Sequence, residues 1–221
     1  HQTLARALEA RLARGGADDE AAARTELGRL YDEHLGRKDE ALEMLLRAID
    51  LDPDNEDAHD AAYRLASATD KVPAYEARVR NLAEARAGSD GDLAGILYSR
   101  LARIAENDRK DDKEAAALYE RAVEVRPHDR ELLSALAAVY ERLGDDAGQA
   151  RMLQMRVELD RNEGGASADI LYRLAQLYFR SGDVDAGCDA FEQAFEADPD
   201  PDRAEELLRS ASDAHPQAER I

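Results

Sequence analysis

The stretch Leu27-Gly28-Arg29-Leu30-Tyr31, leading to Asp52-Pro53-Asp54-Asn55, decides the fold because it recurs. Leu101-Ala102-Arg103-Ile104-Ala105 leads to Arg126-Pro127-His128-Asp129, and Leu174-Ala175-Gln176-Leu177-Tyr178 leads to Asp198-Pro199-Asp200. Leu27 and Leu101 stand 74 positions apart, and Leu101 and Leu174 stand 73 apart. Between these marks Ala41, Leu45 and Ala48 become Ala115, Tyr119 and Ala122, then Gly187, Phe191 and Ala194. Self-similarity at a fixed period is the signature of a repeat array, in which each unit buries its apolar face on its neighbours.

Working outward, apolar residues at helical spacing predict helices over 2–14, 19–35, 38–51, 55–69, 73–86, 92–108, 111–125, 130–143, 146–161, 168–181, 184–197 and 202–213. Gly15-Gly16, Gly36, the 87–91 loop and Gly164-Gly165 punctuate them. Pro73 suits the first turn of its helix. Asp52-Pro53, Arg126-Pro127 and Asp198-Pro199 stop helices, since the residue before proline avoids the α region. Asp54, Asn55 and Asp129 are placed to cap the helices that follow. No period-two alternation and no Asn-Gly hairpin turn predicts a strand. The tail beyond Ser212 is expected to fray.

Composition narrows the function classes. Hydrophobic residues make up 44% of the 221, too many for a disordered acidic chain. Aromatics are 5% and Trp is absent, so alanine and leucine must build the core. The net charge of −19 opposes nucleic acid, whose binding needs phosphates neutralised by Lys and Arg. It opposes an anionic membrane surface for the same reason. A basic or neutral protein partner is the easier case, and solubility alone is the plain alternative. Cys188 is the single cysteine, so no internal disulfide forms, and its mid-helix place suits packing.

With these residues aligned, the chain resembles the tetratricopeptide repeat family, whose 34-residue pattern has Leu-Gly and Tyr in helix A, Ala and an aromatic in helix B, a second Ala and a closing Pro. Leu171, Leu174-Ala175, Tyr178, Gly182, Phe191, Ala194 and Pro199 carry the likeness in one copy. Leu27-Gly28, Tyr31, Ala41, Ala48 and Pro53 carry it in another, and Tyr98, Leu101-Ala102, Ala115, Tyr119, Ala122 and Pro127 in a third. The resemblance implies an all-α, right-handed superhelical solenoid of antiparallel helix pairs. Repeats are expected over 21–55, 56–89, 95–129, 130–163 and 168–201, after a helix at 2–14 left from a preceding repeat and before a terminal helix at 202–213. It is similar in style to alanine-rich arrays of large bacterial proteins. Repeats two and four depart from the pattern: Tyr75 and Gln149 stand where the first small helix-B residue belongs, and Leu82 and Arg156 where the second does.

The resemblance further implies a non-enzymatic scaffold that binds a partner polypeptide in a concave groove lined by the A helices. The alternatives are a self-associating spacer, with a homodimer through exposed array ends, and the recruiting arm of a larger enzyme. Arg29, Arg64 and Arg103 hold the ninth positions of three A helices, and a guanidinium fork suits carboxylates. Their alternative is pairing with nearby acids such as Asp32, Glu33, Asp60 or Glu106. Tyr172, Gln176 and Phe179 share one side of the fifth A helix, where an exposed aromatic pair would make a binding hot spot. The alternative for Phe179 is packing against the 202–213 helix. The family's carboxylate clamp, built on Lys and Asn, is absent as known, because Thr25 and Arg29 occupy its places in the first repeat.

Metal and catalytic readings are weaker. Asp50, Asp52 and Asp54 alternate like the opening of a calcium loop, but Asn55 and Ala61 replace its Gly and Glu. His1, His34, His59, His128 and His215 have no metal spacing and read as surface histidines. Asp18-Asp19 and Asp145-Asp146 are pairs expected by chance among 49 acids. No nucleophile elbow, phosphate loop or paired Cys ligands stands in the chain, so neither cofactor nor catalysis is expected.

Overall fold

A computed structural model describes residues 1–15, 19–161, 165 and 167–216. Among the described residues there are twelve helices and no strand. They are α1 (Gln2–Ala13), α2 (Glu20–Glu33), α3 (Lys38–Leu51), α4 (Glu56–Ala68), α5 (Val72–Arg86), α6 (Gly91–Asn107), α7 (Asp112–Val125), α8 (Arg130–Leu143), α9 (Asp146–Arg161), α10 (Ala168–Ser181), α11 (Val184–Ala197) and α12 (Pro201–Ala214). The fold is all-α, as the periodicity predicts. Gly16, Asp18, Gly164 and the residues after 216 lie outside the described residues, and with them part of two turns, one acidic pair and the tail.

The turns explain the hairpins. Gly36, Asp70, Lys110, Gly144 and Gly182 each take a positive φ, between 55° and 85°. The next residue then returns its N–H to the helix just ended: Arg37 to the Tyr31 carbonyl, Lys71 to Ala66, Asp111 to Ala105, Asp145 to Tyr140 and Asp183 to Tyr178, all at 2.8–3.0 Å. This closure satisfies carbonyls that a helix end leaves orphaned and reverses the chain in very few residues. Side-chain oxygens then start the next helix. Asn55 accepts from the Ala58 N–H at 2.9 Å, and Asp129 accepts from Glu131 and Leu132 at 2.9 and 3.1 Å. Asp54 is not itself a cap: α4 takes Asn55 in that role.

The chain divides into two compact units, His1–Leu101 and Ala102–Ile221, with the division falling inside α6. In the first unit α2 packs on α3, α3 on α4 and α4 on α5. Its core is Leu27, Leu45, Ile49, Leu65, Tyr75 and Val79, all at most 2% exposed. Gly28 lets α2 approach α3 closely: a Cβ there would lie 2.7 Å from Leu45 Cγ and 3.1 Å from the Ala41 carbonyl oxygen. In the second unit α7 packs on α8, α8 on α9, α9 on α10, and α10 on both α11 and α12. Val157, Leu171, Leu174, Phe179, Cys188 and Ala211 belong to one core cluster there. Ala48 in the first unit and Ala102, Ala122, Ala175 and Ala194 in the second are completely buried, which is the close approach that small residues at these positions permit.

One expectation fails in the first unit. His59 is a core residue, 2% exposed, and not a surface histidine. Its Nδ1 lies 2.8 Å from the Tyr75 hydroxyl and its Nε2 3.0 Å from the Pro53 carbonyl oxygen. Tyr75, the large residue at a small-residue position, is what supplies the partner. The degenerate repeat replaces close helix approach with a buried polar pair.

Candidate functional site

The six residues singled out from the sequence fall in different surroundings. Arg29 (α2) and Arg64 (α4) belong to the first unit, and Arg103 (α6) to the second. Arg29 pairs with Asp57 at 3.0 Å. Arg64 stands 3.7 Å from Glu33 and 3.9 Å from Asp32. Of the other acids named as partners, Asp60 pairs with Arg100 at 3.0 Å and Glu106 with Arg142 at 2.7 Å. Arg103 is exposed. Thr25 is buried and gives its hydroxyl to the Ala21 carbonyl at 2.9 Å, so its side chain serves the helix.

Tyr172 and Phe179 are not an exposed aromatic pair: each is 3% exposed. Gly187 of α11 makes room for the Phe179 ring, and a Cβ at 187 would lie 2.5 Å from it. His215, just past α12, donates from Nε2 to the Phe179 carbonyl oxygen at 2.5 Å. Tyr172 is covered by Arg203 of α12, whose guanidinium carbon sits 4.3 Å above the ring centre. The Tyr172 hydroxyl donates to the Asp198 carbonyl oxygen at 3.4 Å. Gln176 remains exposed and accepts from Arg173 Nη1 at 2.7 Å.

These residues frame a groove between α10 and α12 of about 380 Å3, lined by Tyr172, Arg173, Gln176, Arg203, Glu206, Leu207 and Ser210. Clefts that take ligands commonly measure ~300–1,000 Å3. Two guanidiniums are fixed on its walls. Arg203 is held by the ring of Tyr172 and by Asp169, a carboxylate that is 82% exposed. Arg173 is held by Gln176, Glu141 and Gln149. Arginine held in place by exposed acids can exchange those partners for an incoming carboxylate at small cost, because exposed ion pairs contribute little. Arg173 and Arg203 were not among the residues the sequence pointed to: Arg173 lies off the ninth helix-A register, and Arg203 is on a helix beyond the last repeat. Arg173 sits beside Tyr172 and three residues before Gln176, and that adjacency was the available signal.

The remaining candidates serve structure. Asp145 accepts from the Gly148 N–H at 2.8 Å, and Asp146 pairs with Arg180. Asp19 caps α2 through Ala22 at 2.9 Å. His1 stacks on His34 with ring centres 3.6 Å apart. Among the described residues no group of three His, Cys, Asp or Glu could hold a metal ion. Among the same residues no helix is long and apolar enough to cross a membrane.

The tetratricopeptide repeat profile matches this chain at residues 21–55 and again at 168–201. No curated protein matches it. Among solved structures, the chain is similar to YrrB, described as a TPR protein with an unusual peptide-binding site, at 18% identity, covering 89% of this chain and 96% of that one with a TM-score of 0.47. It is similar to the N-terminal domain of stress-induced protein-1 from C. elegans at 21% identity, covering 57% and 98% with a TM-score of 0.43. It is also similar to MamA at 13% identity, covering 86% and 95% with a TM-score of 0.47.

Proposed function

Because this chain belongs to the tetratricopeptide repeat family, an all-α solenoid fold suited to protein–protein interaction, we propose that it holds a partner polypeptide in the α10–α12 groove. The observation that carries the reading is the pair of guanidiniums, Arg173 and Arg203, fixed on the two walls of a cleft floored by Tyr172. The ligand is an acidic stretch or a chain-terminal carboxylate, gripped by the two forks, with Gln176 and Ser210 offering amide and hydroxyl contacts to its backbone. Arg29, Arg64 and Arg103 are proposed as secondary anchors, each within its own unit, that trade their present acids for the partner's.

Affinity capture from a lysate of the source organism tests this with three baits: the natural chain, Arg173→Glu/Arg203→Glu, and Arg29→Glu/Arg64→Glu/Arg103→Glu. The expected result is a partner held by the first, lost by the second and weakened by the third, with all three baits equally helical. A partner retained by the second bait overturns the groove. Self-association is the second reading, favoured by Leu4 of α1 at 44% exposure and by Phe195, stacked on Phe191 in α11. Sedimentation over a hundredfold concentration range decides it.

A further inference from the structure

Another groove in the second unit shares no residue with the first. It opens between α7 and α9 over α8 and holds about 370 Å3. Its floor is Leu136 and Tyr140, which are 1% and 5% exposed. Met152 and Met155 of α9 form one wall. These are two of the chain's three methionines. The wall is soft for a sequence reason. Gln149 is buried at a position where other repeats carry Ala41, Ala115 or Gly187, and the close contact with α8 falls instead on Gly148, where a Cβ would lie 2.9 Å from the Tyr140 ring. Unbranched thioether side chains then fill the irregular space that remains, and such side chains re-pack readily around an apolar guest.

The mouth is polarised. On the α7 side Glu120 accepts the Tyr140 hydroxyl, which pins its carboxylate beside the opening, and one turn further on Glu124 stands exposed in a 3.6 Å pair with the exposed Arg121, a contact that an incoming cation can replace at small cost. On the α9 side the rim carries Arg151. A guest with a cation on the α7 side is attracted, and one with a cation on the α9 side is repelled. The chain's net charge of −19 steers basic segments toward this surface.

We infer that the α7–α8–α9 groove docks a basic amphipathic segment of a partner protein, with an apolar side chain seated between Met152 and Met155 and a Lys or Arg on Glu120 and Glu124. This surface is independent of the acidic ligand proposed for the α10–α12 groove, and its ligand carries the opposite charge.

A random peptide library displayed on phage, panned on the natural protein and counter-selected on Met155→Glu, supplies the probe. The recovered peptides are then titrated into protein carrying 13C-methyl methionine. The expected peptides combine an apolar anchor with Lys or Arg, and they shift the methyl signals of Met152 and Met155 while Met44, in α3 of the first unit, stays still. Glu124→Lys, an exposed change that leaves the fold intact, weakens the same peptides at least tenfold, and Arg151→Glu does not weaken them. Failure to enrich any peptide, enrichment of acidic or uncharged ones, or binding without a Met152 or Met155 shift overturns the proposal. So do shifts that come from raising protein concentration alone, which would assign the groove to a second copy. Loss of acidic-peptide binding in Arg173→Glu/Arg203→Glu bears only on the other groove.

Discussion

The hydroxyl of Tyr75 donates to Nδ1 of His59 across 2.8 Å inside the α4–α5 hairpin, and the opposite ring nitrogen donates to the Pro53 carbonyl oxygen at 3.0 Å. Burial beside Arg100 keeps the imidazole neutral, and since the Pro53 carbonyl can only accept, Nε2 carries the proton and Nδ1 is left to accept the Tyr75 hydroxyl.

Burial, seconded by the Arg100 guanidinium and opposed by the Pro53 hydrogen bond, Asp60 and Asp54, pushes the His59 pKa down to about 4 from 6.5. The unfolded chain therefore binds a proton at this site across pH 4–6.5 that the folded chain refuses. Stability from His59 is complete above about pH 6.5 and falls as pH drops toward 4, by roughly 2–3 kcal/mol at pH 4.5. Urea denaturation of the natural chain and His59→Phe at pH 7 and pH 4.5 measures this. The natural chain should lose that much more than the variant. Equal losses would remove the buried pair as the cause.

Glycine substitutions should divide by what a Cβ meets. At Gly28 it meets Leu45 and the Ala41 carbonyl oxygen, and at Gly187 it meets the Phe179 ring. The gain of ~1 kcal/mol in helix propensity is then outweighed by overpacking of about 1–3 kcal/mol. At Gly88 there is nothing within 4 Å. Gly28→Ala and Gly187→Ala should lower thermal midpoints, whereas Gly88→Ala should leave its midpoint equal or raised.

The Asp129 carboxylate caps α8 through two backbone N–H groups and also faces Arg126 at 2.9 Å. Asp129→Ala should cost about 1 kcal/mol, and Asp129→Asn or Asp129→Ser should recover most of it. Denaturant midpoints of the three variants check this, and an equal loss in all three would point to the ion pair instead.

Arg29→Ala removes a pair whose side chains are 42% and 77% exposed. The change in stability should stay below ~1 kcal/mol and shrink further in salt. A larger loss would mean that Arg29 holds α2 and α4 together and is not available to a ligand.

The sequence made the fold legible wherever a residue's role was set by its size and register. Ala48, Ala122 and Ala194 recur at one position of the repeat and are completely buried. Cys188 was assigned to packing and lies in the second unit's core cluster. Illegibility began where burial depended on a partner from another helix. His59 stands between Ala58 and Asp60 and reads as surface, because its partner is sixteen residues on at a position the pattern reserves for a small side chain. Tyr172 and Phe179 were rightly put on α10, but their cover comes from Arg203 and Gly187, and no register rule on α10 alone reports that. The arginine row was visible as a row. That Arg29 and Arg64 already face acids depends on side-chain reach between α2 and α4.

α12 fully buries only Ala204 and Ala211, packs Leu207 partly against the second unit's core cluster, and is held further by Arg203 and His215. An element with so little apolar burial undocks at a free energy well below that of global unfolding. The α10–α12 groove therefore exists only in the fraction of molecules whose α12 is docked. For the ligand proposed there, apparent affinity would be the intrinsic affinity multiplied by that fraction. Anything that secures α12, including further chain folded against its outer side, would tighten binding without touching a single ligand contact.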